Sequence, residues 1–261
     1  MTVAENDPSP PATPTARGGR AGLLMFAVFA AGQAMMVVAS LVVLLPFAAA
    51  DPGLLDEGGG LPPWPLLALL VVPITLAALV AVAGTAWLGG GPRAGRARRE
   101  LAFRWNWRDL GIGLALGAGG LLLTLPAAAL WAVWVGDEQA TSAVGDAFAG
   151  RELGPLPAVI AFLAVWLVAP IGEEVLFRGA LWRALEHWGL NRWLVFAVTS
   201  AVFSIAHLEL LRTPLLLVLS IPLGLARLFT GNLLASVVAH QVNNFLPAVA
   251  LLLTTTGVFA G

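Results

Sequence analysis

The stretch LVAPIGEEVLFRGALWRAL, Leu167 to Leu185, sets Glu173, Glu174 and Arg178 inside an otherwise apolar run. Each charge at the centre of a membrane helix costs roughly 2.5–3.5 kcal/mol, so three unpaired charges would cost on the order of 8–10 kcal/mol, comparable to a whole domain's stability. Such groups need partners and a use. On a helix Glu174 and Arg178 stand at i and i+4, with the acid N-terminal to the base in the favoured order. Glu173 is turned about 100° away and is left for something else. Pro170 has no N–H, so it frees a carbonyl on the preceding turn and is a site for a kink. Two later segments add polar groups. VFSIAHLEL carries His207 with Phe203 one turn before it, and VVAHQVNNF carries His240 and Asn244 at i and i+4. These types suit hydrolysis of a peptide bond. That reaction needs a base near neutrality, and burial among apolar groups raises carboxylates toward that range. A histidine can share the proton of a water, and Asn and His N–H groups suit a developing oxyanion. The bland alternatives are a buried ion-pair network and histidines that hydrogen-bond between packed helices.

The elements that must hold these residues follow from composition. Of 261 residues 59% are hydrophobic and 11% charged, against about 25% charged in soluble domains. The expected fold class is therefore all-α, a polytopic transmembrane bundle of about seven helices. Apolar segments run approximately over 22–47, 63–88, 109–135, 156–184, 192–210, 213–229 and 232–257. Residues 1–20, rich in Pro, Thr and Ala, read as a disordered tail. The first apolar run, about 21–50, is too long for a signal-peptide core and reads as a retained helix. The expected organisation is tail 1–20, N-terminal membrane helices 21–150 and a catalytic membrane domain 151–261. Cysteine is absent, which excludes disulfides and cysteine metal sites. A net charge of −1 gives no reason to expect nucleic acid.

Every basic side chain is arginine. The loop 89–108, GGGPRAGRARRELAFRWNWR, carries six of them, whereas the loops around 51–60 and 136–155 are acidic and Gly-rich. With the N-terminus inside, Arg17, Arg20, Arg93, Arg96, Arg98, Arg99, Arg104, Arg108, Arg183, Arg192 and Arg227 fall on the cytoplasmic side. Arg151 and Arg212 fall outside, and Arg178 lies within the membrane. That bias predicts a plasma-membrane protein with its N-terminus in and its C-terminus out. His187, at the end of the fourth segment, reads as interfacial. Gly113 and Gly117 offer a small-xxx-small face for close helix packing. At ~1.5 Å per residue Glu173 lies roughly 16 Å, His207 about 22 Å, and His240 and Asn244 about 13–20 Å from their cytoplasmic helix ends. This reading puts His207 in the middle of the fifth segment and all four in one layer.

EEVLFR, FSIAH and HQVNN resemble, in order and each on its own helix, the EExxxR, FxxxH and HxxxN motifs of the CPBP family, the CAAX proteases and the bacteriocin-processing or self-immunity proteins. The resemblance covers about 157–250. It implies an intramembrane endopeptidase acting on membrane-associated or C-terminal, CAAX-like substrates. By matching positions, Glu173 resembles the base that activates water and His207 the histidine that holds it. Glu174 with Arg178 resembles a supporting pair beside Phe203, and His240 with Asn244 the oxyanion-stabilising groups. Alternatives are a non-catalytic scaffold, a bacteriocin self-immunity factor, or an ion-coupled transporter. The expected partners are the lipid bilayer and a peptide or membrane-protein substrate, with no nucleic acid and the oligomeric state open.

No cofactor is favoured, although Glu173, His207 and His240 are the residues that would hold zinc. The histidines lack the i, i+4 pairing of the HExxH motif, and Arg178 would repel a nearby cation. Asn244 is a poor zinc ligand and a good donor.

The arginine bias is directly testable, because single introduced cysteines report sidedness in a cysteine-free chain. Ala143→Cys should react with an impermeant thiol reagent in intact cells and Ala94→Cys should not; the reverse pattern inverts the topology.

Overall fold

The structure, a computed structural model, describes residues 16–51, 60–136 and 139–258. Most of the expected tail, residues 1–15, lies outside the described residues, as do 52–59 of the first acidic loop. The helices are α1 (Ala16–Ala50), α2 (Pro63–Leu88), a short α3 (Arg96–Glu100), α4 (Trp107–Val135) and a short α5 (Ala143–Phe148). They continue as α6 (Pro155–His187), α7 (Arg192–Ala206), α8 (Thr213–Thr230) and α9 (Leu233–Thr255). The bundle is all-α, with no strand among the described residues. Six of these helices are long and apolar enough to cross a membrane, and α7 is a seventh, shorter apolar helix.

Helix starts follow local chemistry. Asn106, Asn191 and Asn232 each accept a backbone N–H at the start of α4, α7 and α9, satisfying donors that would otherwise be orphaned. Hydropathy over 192–210 suggests one long span, but α7 stops at Ala206, and His207 caps its end rather than lying in its middle. Leu208 then adopts a left-handed φ of 57°. The Glu209 carbonyl accepts the N–H groups of Arg212 and Thr213, and Pro214 in the first turn of α8 starts a new helix. Leu208, Leu210 and Leu211 kept the run apolar, which hid the turn.

α6 departs from regular α geometry twice, through π-helical turns at Ala164–Val168 and Val175–Leu181. The Ala169 N–H reaches the Ala164 carbonyl, and the Trp182 N–H reaches Phe177. The two glutamates lie on the α-helical piece between them, Ala169–Glu174. Such insertions mark functional sites more often than chance.

Both ends of the bundle are stitched by polar groups. At one end the Asn232 side chain ties the Arg104 backbone and the Asp109 carboxylate to the start of α9. Glu100 accepts from Arg183 at 2.8 Å and His187 at 2.9 Å. Burial would raise the Glu100 carboxyl, but these two hydrogen bonds and the charges behind them hold it below the usual carboxylate value. His187 thus joins the arginine-rich loop to α6. At the other end Leu153 N–H donates to Thr255, Arg151 to the Leu61 carbonyl, Trp131 to the Leu211 carbonyl and Ala143 N–H to Glu209.

α1 and α2 cover α6, burying Met25, Phe29, Ile74 and Leu176 in the main core. α4 lies against α9 and α8 through glycines. A Cβ at Gly113 would stand 2.6 Å from the Ala235 carbonyl oxygen, and one at Gly120 would stand 2.7 Å from Pro222. Gly117 meets Val242 and Ala239 in the same way, so the small-residue face is a packing face. Gly111, on the same helix, has open space. Gly113→Ala should therefore lower the thermal midpoint in detergent by overpacking worth about 1–3 kcal/mol, whereas Gly111→Ala should hold or raise it. Equal effects would remove the packing role.

Candidate functional site

Glu174 and Arg178 are both fully buried, and Arg178 Nη1 donates to Glu174 Oε1 at 3.1 Å. The i, i+4 pairing holds although a π turn begins at Val175. Ser236 donates to the other carboxylate oxygen, Oε2. His240 Nδ1 lies 2.9 Å from Glu174 Oε1, and since a carboxylate only accepts, this nitrogen carries the proton. Arg178 also points Nη2 at the Ser220 carbonyl and lies 4.5 Å over the Phe203 ring. Its own carbonyl accepts from Arg227 Nε at 3.0 Å. Glu174 and Arg178 thus offset each other, as burial at this depth demands, while Arg178 Nε has no hydrogen-bond partner among the described residues.

Glu173 faces the other way, as its turn on the helix requires. Its side chain is 21% exposed, and its Oε2 lies 3.7 Å from His240 Nε2. His240 is therefore held between two carboxylates, Nδ1–H fixed on the closed one and Nε2 presented to the open one. The 3.7 Å separation is longer than a direct hydrogen bond and leaves both atoms open to the cavity.

Phe203 is the hub that links the remaining groups. Its ring centroid is 4.8 Å from that of His207, 5.3 Å from Phe177 and 5.8 Å from His240. His207 Nδ1 donates to the Phe203 carbonyl at 2.8 Å, which leaves its Nε2 as the acceptor in the neutral ring. Asn244 donates one amide hydrogen to the Val165 carbonyl at 3.1 Å. In the π register that begins with Ala169 N–H to Ala164, the next residue, Pro170, has no N–H to give to Val165. The Asn244 side chain takes the place of that missing donor.

Glu173, Phe203, His207, His240 and Asn244 all line one cavity of about 1140 Å³; Glu174 and Arg178 lie behind its wall. Gln33 of α1 also lines it, with a buried Oε1 that has no hydrogen-bond partner. Gln33, Ser236 and Arg227 were not singled out from the sequence. Ser236, His240 and Asn244 form a stripe at i, i+4 and i+8, a signal that was present. Gln33 is the one amide between Arg20 and Asp51. Arg227, counted with the cytoplasmic loop charges, lies at that end but is 2% exposed, inside the bundle.

Zinc requires three or more donors converging on a point. Among the described residues no group of three His, Asp or Glu is arranged to hold an ion. His207 and His240 spend Nδ1 on the Phe203 carbonyl and on Glu174, so their Nε2 atoms and the Glu173 carboxylate are the groups that would hold a metal there.

Residues 155–246 match the family model described as Rce1-like, type II CAAX prenyl endopeptidase Rce1-like. This segment is thus similar to the CAAX-type intramembrane protease family that the three motifs resemble, and the chain is a multi-pass membrane protein. No curated protein and no solved structure matches the chain.

Removing Arg178 leaves Glu174 buried with its charge uncompensated, a loss of about 3–5 kcal/mol. Arg178→Ala should therefore reduce folded protein on size exclusion, while Glu173→Gln, on the open side, should elute normally. Well-folded but inactive Arg178→Ala protein would instead place the arginine in the chemistry.

Proposed function

We propose that the chain is an intramembrane endopeptidase that hydrolyses a peptide bond of a membrane-associated polypeptide with a water activated by Glu173. One observation carries the reading: Glu173 Oε2 and His240 Nε2 face each other at 3.7 Å on the wall of a cavity large enough for a peptide segment.

A water held on Glu173 at the cavity wall attacks the carbonyl carbon and Glu173 takes its proton. His207, its Nδ1–H spent on the Phe203 carbonyl, offers Nε2 to the water's second hydrogen and orients it. As the C–O bond forms, the carbonyl's electron pair moves to oxygen. The second amide hydrogen of Asn244 is a donor for that oxyanion, and His240 Nε2 is another when the ring carries both protons. On collapse the C–N bond breaks, and the proton on Glu173 passes to the leaving nitrogen. Gln33 Oε1, an unfilled acceptor in the wall, takes a backbone N–H of the substrate. No metal is needed in this scheme.

Glu173→Gln and His207→Ala should abolish turnover. Asn244→Ala should lower kcat by roughly 10²–10³, the usual cost of one oxyanion donor. Membrane proteomics of a deletion strain and a Glu173→Gln strain should show the same uncut precursors; their absence from the Glu173→Gln strain would leave a scaffold. Activity should survive exhaustive chelation, and stoichiometric zinc whose removal and return switch activity off and on would overturn the metal-free scheme.

A further inference from the structure

The cavity has a direction. Its lining reaches the end of the bundle that meets the 136–154 connection, through Trp131 of α4, Leu215 of α8, Ala250 and Thr254 of α9 and Ala149 on the rim, and in the other direction it stops at Phe177, Leu223 and His240, short of the helix ends. Among the described residues, none between 89 and 108 lines it. Toward the arginine-rich end it is closed by the Glu174–Arg178 layer and the buried Phe177.

Depth points the same way. α7 has 15 residues, about 22 Å at 1.5 Å each, against about 30 Å of hydrocarbon. Starting from Arg192 at the arginine-rich end, it stops roughly 8 Å short of the far boundary, so His207 lies in the far leaflet. The turn that follows carries Leu208 and Leu210, 83% and 84% exposed, and Leu211, 52% exposed. Three exposed leucines on a turn at that depth suit acyl chains, so one side of the site borders lipid rather than water.

With the arginine-rich end in the cytoplasm, the mouth faces outward. We propose that the substrate is the extracytoplasmic juxtamembrane segment of a membrane-anchored polypeptide, cut near the outer leaflet boundary. This rests on the peptidase reading above. A cytoplasmic tail would have to pass the closed Glu174–Arg178 layer to reach Glu173.

Two readouts test it. In the cysteine-free chain, Ala149→Cys and Ala250→Cys on the rim and Ala206→Cys beside His207 are exposed to an impermeant maleimide, in intact cells and in inside-out vesicles. All three should label from outside only, with Ala94→Cys the opposite control. Should Ala206→Cys fail to fold, the two rim positions, both exposed, decide. Separately, the cut sites of precursors that accumulate with Glu173→Gln are mapped by terminal peptide sequencing and should fall on extracytoplasmic juxtamembrane residues. Labelling from the cytoplasmic side, or cut sites on cytoplasmic segments, would overturn the proposal. Outside labelling with no accumulated precursor would overturn the peptidase reading, and the substrate with it, while leaving the sidedness of the cavity standing.

Discussion

A carboxylate and a guanidinium without exposed surface, Glu174 and Arg178, set the requirements for the groups around them. Neither tolerates isolation at that depth. The carboxylate's remaining valences recruit Ser236 and His240 from α9, and the guanidinium recruits the Ser220 carbonyl from α8 and the Phe203 face from α7. Three helices are thus registered on α6 by one ion pair. The same contacts fix the tautomer of His240 and so decide which nitrogen the open site sees. The closed glutamate is fully paired, and its neighbour, turned about 100° on the helix, faces the cavity.

The two adjacent carboxylates lie on an α-helical piece of α6 flanked by two π turns. The first leaves the Val165 carbonyl facing Pro170 without a donor, and Asn244 fills it. Asn244 is therefore tied to α6 through the backbone rather than through a catalytic side chain. One of its amide hydrogens is structural and the other is open to the cavity.

Much of this site could be read in the sequence because its residues are chemically improbable where they stand. Charges at Glu173, Glu174 and Arg178 in an apolar run demand partners, and i, i+4 spacing names Arg178 as the partner of Glu174. The arrangement across helices was less legible. His240 was assigned as an oxyanion donor without any sign that it touches both glutamates, because that contact depends on the approach of α9 to α6 rather than on spacing. The end of α7 was missed because Leu208, Leu210 and Leu211 continue the hydropathy signal through a turn that only the left-handed Leu208 and the capping Glu209 carbonyl reveal. Gln33 was missed because a single amide in a long apolar helix has no local pattern to announce it.

The brevity of α7 also bears on the lipid around the protein. Its neighbours run from 18 to 33 residues, whereas its 15 cannot match the hydrocarbon thickness by tilting, since tilt only shortens a helix's reach. The acyl chains beside it must compress or yield to the leucine-bearing turn, at a cost of fractions of a kcal/mol per ångström of mismatch. Thicker membranes raise that cost on the flank that borders His207. Hydrophobic mismatch therefore couples the His207 end of α7 to the acyl-chain length of the host bilayer.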